Sequence, residues 1–163
     1  MSPKLSKSQK ETLRRKSLGE LGELVAIKAL VDRSFSKITN LNDRQRNYPF
    51  ADLYAQKNGK RYVISVKSRN KYQANGELNT RYKLGSNAYE DAKKEEQKFN
   101  AQAYWMAVVF DKMTYSVYMG SLEELDGNLG IPVSRCIKDG VGDCLVDDRR
   151  HYFDFEYFSN QNS

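Results

Sequence analysis

The most apolar run in the chain, AQAYWMAVVF at residues 101–110, limits the folds open to it. It carries no charge and reads as a central strand buried on both faces, which needs elements packed above and below it. Two helical patterns can supply that cover. Over residues 8–33, Leu13, Leu18, Leu21, Leu24, Val25 and Ile27 recur at steps of three and four, and Leu30 and Val31 finish the stripe. Gly19 and Gly22 interrupt it at about 1 kcal/mol each against alanine. Two such residues point to close backbone packing or to a break near position 19. The second helix is expected over residues 86–100, with Ser86 or Asn87 as N-cap.

Strands are expected around these helices. They fall at residues 35–41, 50–56 (FADLYAQ), 61–68 (RYVISVKS) and 113–119, with Lys57-Asn58-Gly59-Lys60 as a hairpin turn. Residues 42–48 and 69–85 are polar connections. Ser121 caps a short helix, SLEEL, and the aromatic stretch HYFDFEYF near the end alternates well enough for a further strand. The terminal residues, SNQNS and about the first five, are expected to be disordered. Neither a repeat nor a dividing linker stands out. The expectation is one domain over residues 1–163, with a core at about 8–120 and a C-terminal extension at 121–163.

The 163 residues include 39% hydrophobic and 29% charged side chains, enough for a modest core under a polar surface. No run approaches the roughly 20 apolar residues of a membrane helix, and the basic N-terminus is not followed by a signal-peptide core. The reading is a soluble cytoplasmic protein with no membrane partner. Cys136 and Cys144 are then expected to be reduced thiols. His151 is the only histidine, which argues against a Ser–His or Cys–His triad and against a histidine-built zinc site. Charge is uneven. Residues 1–84 hold 19 Lys and Arg against 7 Asp and Glu, whereas residues 85–163 hold 8 against 14. One basic face meeting a polyanion fits this, and nucleic acid is the commonest such partner. Lysines that merely keep the protein soluble fit it too.

Within the third strand the sequence ISVKSR places Ser65 and Lys67 on one face. A lysine on a buried strand is costly unless it has a partner or a task. Asp52 lies across the hairpin, and Glu23 on the long helix can reach the same spot. Two carboxylates beside a lysine suit Mg²⁺ and a phosphate, because magnesium takes hard oxygen ligands and acidifies bound water. An ordinary Asp52–Lys67 salt bridge is the simpler alternative.

FAD, a twelve-residue gap and SVK together resemble the PD-(D/E)xK nuclease superfamily, and the glutamate of LGELVAIKAL resembles its helical acid. DLYAQKNG followed by VKSR looks most like the archaeal Holliday-junction resolvases and related restriction-type enzymes. The resemblance spans roughly residues 17–120. It implies an α/β, restriction-endonuclease-like αβββαβ core with a mixed central sheet flanked by helices. By carry-over, Glu23 and Asp52 would be metal ligands with the Val66 carbonyl, and Lys67 the catalytic lysine. Pro49 stands three residues before Asp52 rather than beside it. Ser65 occupies the slot of the second acid, where it could hold a water. Glu20, Glu77 or Glu90 could replace that acid, or the site could be inactive and the fold kept for binding.

The implied activity is DNA endonuclease with Mg²⁺, or Mn²⁺ in its place, acting as a homodimer; RNA is a possible substrate. Arg44, Arg46, Ser68, Arg69, Lys71, Arg81 and Lys83, interleaved with Tyr48, Tyr72 and Tyr82, suit phosphate contacts and base stacking. Lys4, Lys7, Lys10, Arg14, Arg15 and Lys16 form either a DNA-contacting arm or a solvated helix end. Trp105 belongs to the core. Glu90, Asp91, Glu95 and Glu96 are expected on an exposed helix face beside Lys93, Lys94 and Lys98.

Overall fold

The computed structural model describes residues 4–44 and 48–147. Arg46, His151, the HYFDFEYF stretch and SNQNS lie outside them, as does the side chain of Arg44. Helix α1 (Lys7–Asp32) leads into β1 (Ser36–Asn40) and a one-turn helix α2 (Leu41–Arg44). Strands β2 (Leu53–Lys57) and β3 (Lys60–Asn70) form a hairpin, and α3 (Ala88–Phe99) crosses over to β4 (Gln102–Asp111). β5 (Thr114–Ser121), a 3₁₀ turn (Glu123–Leu125), α4 (Val133–Asp139) and β6 (Asp143–Val146) complete the described chain.

The six strands lie in sequence order in one sheet. Only β3 and β4 pair in parallel, in unbroken register from Tyr62↔Gln102 to Asn70↔Phe110. A parallel pair needs a long crossover, which α3 provides. The β2–β3 turn needs two left-handed residues, and Asn58 (φ 50°) and Gly59 (φ 77°) supply them.

Both faces of the sheet are covered, as the apolar β4 requires. On one face Val25, Ala26, Ala29 and Leu30 of α1 meet Leu53, Ile64, Val66, Met106 and Val108. On the other, Ala88 and Ala92 of α3 meet Val63, Trp105, Ala107 and Val109. The pleat therefore turns Ile64, Val66 and Ser68 toward α1, and Val63, Ser65 and Lys67 toward the α3 side.

Helix α1 runs without a break. Ser6 caps it with a capping box: its Oγ accepts from the Gln9 backbone N–H at 3.1 Å, and Gln9 Oε1 accepts from the Ser6 N–H at 2.8 Å. Gly19 has open space around it, whereas a Cβ at Gly22 would lie 2.6 Å from the Cβ of Ser68. Gly22 thus allows the close approach of α1 to β3. The buried face of α1 is Gly22, Val25, Ala26, Ala29 and Leu30. This corrects the expected apolar stripe: Leu13, Leu21, Leu24 and Val31 are exposed. Small residues, which bring the helix axis close to the sheet, mark the packed face instead.

Other elements differ from expectation in their limits. Strand β2 begins at Leu53 rather than Phe50, because the backbone N–H groups of Phe50 and Ala51 bond the Glu95 carboxylate instead of a strand. Residues after Ser121 continue the core: Val133 and Cys136 of α4 are buried in it, and β6 pairs antiparallel with β5. No disulfide joins Cys136 and Cys144. Ser121 Oγ accepts from the Glu124 backbone N–H at 3.2 Å and starts the 3₁₀ turn.

Candidate active site

Asp52 sits one residue before β2, and its backbone fixes it from both sides. Its N–H donates to Ile64 O and its carbonyl accepts from the Leu41 N–H, both at 2.9 Å. Its Oδ2 accepts from the Val66 N–H at 2.8 Å. The carboxylate is therefore locked onto the strand that carries Lys67. Burial pushes its pKa up, while the Val66 N–H, Asn42 and the nearby Lys67 charge pull it down.

Glu23 comes down from α1, one residue after the close contact at Gly22. Burial and the Asp52 charge raise its pKa, and hydrogen bonds from Asn40 and Asn42 oppose them. Asn40 Nδ2 donates to Glu23 Oε2 at 3.4 Å. Asn42 Nδ2 donates to both acids, to Glu23 Oε1 at 3.1 Å and to Asp52 Oδ1 at 3.4 Å. Two carboxylates, the charge of Asp52 raising the pKa of Glu23, thus converge on one amide group.

Lys67 is half-buried, and among the described residues no ion pair within 4 Å involves it. The simple salt bridge with Asp52 is not formed. Lys67 instead lines a cleft of about 730 Å³ between the projecting N-terminal half of α1 and the loop after β3. Glu23, Val66, Ser68, Arg69 and Arg81 line the same cleft, with Arg14, Arg15 and Tyr72. Ser65 is 2% exposed and pairs with Trp105 in the sheet. Among the described residues no group of three or more His, Cys, Asp or Glu side chains converges. Glu20, Glu77 and Glu90 therefore do not join Glu23 and Asp52 in such a group.

The candidate phosphate-contacting residues divide. Arg69 and Arg81 line the cleft. Arg69 Nη1 also donates to the Ser68 carbonyl at 2.7 Å. Ser68 is 6% exposed and packs on Gly22. Lys71 lies 5.7 Å from the Tyr72 ring centre. Lys83 bridges to Gly130 and is not part of the cleft lining. Of the three tyrosines, Tyr72 is exposed at the cleft. Tyr82 is wholly buried and its OH donates to the Arg69 carbonyl at 3.3 Å, so it cannot stack on a base. Tyr48 packs edge-on against Phe99, with Lys98 over its ring. In the N-terminal cluster, Arg14 and Arg15 share Glu11, at 2.7 and 3.5 Å.

Sequence reasoning missed three residues here: Asn40, Asn42 and Glu95. Glu95 is 4% exposed rather than on the solvent face, and its carboxylate accepts from the Phe50 and Ala51 N–H groups at 3.1–3.4 Å. It pins the loop that delivers Asp52. Burial raises its pKa, and the two N–H groups partly offset this. Its spacing from Ala88 and Ala92 could have revealed it, since positions 88, 92 and 95 share one helix face. Glu96 Oε2 likewise turns inward to the Ala103 N–H, at 3.1 Å.

No protein-family model matches the sequence, and no curated protein matches it. Among solved structures the chain is similar to the Holliday junction resolvase Hjc of Archaeoglobus fulgidus, an archaeal hyperthermophile. The match covers 71% of this chain and 86% of the resolvase at 17% identity, with a TM-score of 0.50. The fold is restriction-endonuclease-like. In its architecture a helix precedes a three-stranded unit, and a crossover helix and a parallel strand follow. Within this restriction-endonuclease-like frame, Glu23 and Asp52 stand together at the sheet and Lys67 opens onto the cleft beside them.

Proposed function

We propose that the chain is a divalent-cation-dependent DNA endonuclease. The observation that carries this is the convergence of Glu23 and Asp52, both with raised pKa values, in a basic cleft beside a lysine that forms no ion pair among the described residues. Holding two carboxylates close with no paired cation costs stability, and functional sites are where such an arrangement is kept. The donors are hard oxygens and fit Mg²⁺, or Mn²⁺ in its place. Glu23, Asp52 and the Val66 carbonyl would hold the ion. When bound, it supplies a water of lowered pKa and a positive charge at the phosphate.

The chain's own residues do the rest. The Val66 N–H orients Asp52 and Glu95 fixes the loop before it. The Lys67 ammonium neutralises charge that builds on the phosphate oxygens. Arg69 and Arg81 seat the backbone, and Tyr72 offers a ring to an unpaired base. Cutting both strands needs two such sites, hence a homodimer by analogy.

Ser65 favours a second reading. With no third carboxylate at the site among the described residues, the fold can serve as a nucleic-acid-binding protein that does not cut. Cleavage assays on plasmid, branched and single-stranded DNA and on RNA, with Mg²⁺ or Mn²⁺ at low salt, separate the two. Metal-dependent cutting that falls by about 10²-fold or more in both Asp52→Ala and Lys67→Ala supports the nuclease. Tight, salt-sensitive binding without cutting supports the second reading.

A further inference from the structure

Asn42 stands between the two carboxylates of the candidate site. Its Nδ2 lies between Glu23 Oε1 and Asp52 Oδ1, at 3.1 and 3.4 Å, and so takes a position that favours positive charge. We propose that Asn42 turns its amide over when a divalent cation binds and supplies Oδ1 as a third oxygen, in the role that Ser65 cannot fill. This rests on the reading of Glu23 and Asp52 as the cation site.

The two asparagines of this segment differ in a way that assigns the role to one of them. Asn40 is locked: its Oδ1 accepts from the Asn42 backbone N–H at 3.0 Å while its Nδ2 donates to Glu23. Turning it would break a backbone bond. Asn42 makes both of its side-chain bonds through Nδ2, to the two carboxylates. A half-turn about its Cβ–Cγ bond exchanges Nδ2 for Oδ1 with no backbone movement, and this torsion is broad in asparagine. The backbone is already held, by the bond to Asn40 Oδ1 and by the adjacent Leu41 N–H to the Asp52 carbonyl at 2.9 Å. An amide carbonyl is a hard oxygen suited to Mg²⁺. It also adds no third negative charge to a site where two carboxylates already repel.

The test needs no nucleic acid. Mn²⁺ and Mg²⁺ are titrated calorimetrically into the full chain, stripped of metal, for wild type, Asn42→Ala, Asn42→Asp, Asn40→Ala and Asp52→Asn. Thermal melts in EDTA check folding, and Asn42 is exposed, so its variants are expected to fold. The proposal expects Asn42→Ala to weaken binding by about 10-fold or more and Asn42→Asp to bind at least as tightly as wild type. In NMR spectra of wild type, the Asn42 side-chain NH₂ pair should shift strongly on adding Mg²⁺. If Asn42→Ala binds as tightly as wild type or tighter, Asn42 only fills the gap, and the proposal fails while the cation site stands. If wild type binds neither ion, the cation site and this proposal fail together.

Discussion

Replacing Gly22 by alanine tests how α1 is seated on the sheet, and through it how Glu23 is placed. A Cβ at position 22 would lie 2.6 Å from the Ser68 Cβ, an atom fixed by the β3 backbone that no rotamer change can move. Carbon atoms settle at about 3.5 Å or more, so α1 has to withdraw by about 1 Å. Overpacking of this kind costs about 1–3 kcal/mol, and the better helix propensity of alanine returns about 1 kcal/mol. Gly19 is the internal control. Nothing lies within 4 Å of its added Cβ, so Gly19→Ala should stabilise by about 1 kcal/mol. The two variants, three residues apart on one helix, should therefore differ by about 2 kcal/mol in opposite directions. Urea unfolding reads this as a shift in midpoint at constant slope. A Ser68→Gly background removes the obstructing atoms, and there Gly22→Ala should become neutral or stabilising. The withdrawal should also separate Glu23 from Asp52 and weaken metal binding. If Gly22→Ala stabilises as Gly19→Ala does, α1 does not lie against β3 as described, and the placement of Glu23 fails with it.

The remaining predictions concern charge. Asp52 has a raised pKa in the folded chain, so its protonated form stabilises the fold. That contribution is full below the ordinary carboxylate pKa and is lost as pH rises through the raised value. Asp52→Asn should therefore melt higher than wild type in EDTA at neutral pH, by about 2–4 °C per kcal/mol recovered, and the gain should vanish in acid; melting curves across pH check this, and an equal gain at every pH would refute it. For nucleic-acid binding, Arg81→Ala should weaken affinity and lower the slope of log K against log salt by about 1. Lys83→Ala, outside the cleft lining, should leave that slope unchanged; anisotropy titrations over a salt series compare the two.

Element types were readable from the chain because local patterns carry them. The uncharged run of β4, the Asn58-Gly59 turn and the order of helices and strands each follow from periodicity and backbone sterics. Which face of α1 packs was not readable. Leucines recur around much of that helix, and the choice fell to Gly22, Ala26 and Ala29, which let the axis approach the sheet. β6 was missed because a four-residue strand just after the glycines at 140 and 142 has too short a pattern to register.

The candidate site divides along the same line. Sequence alone picked out Glu23, Asp52 and Lys67 by type and spacing, and left open whether Asp52 and Lys67 neutralise each other. Tertiary structure decided that they do not form an ion pair, that Glu23 meets Asp52 through Asn42, and that Glu95 turns inward to hold the Asp52 loop. Ser65 in the second-acid slot was plain from the sequence, but its burial beside Trp105 and the approach of Asn42 were not. Spacing along a chain fixes which face of an element a residue occupies. Only the packing of distant elements fixes which side chains share a few cubic ångströms, because that depends on how closely a helix and a sheet can approach.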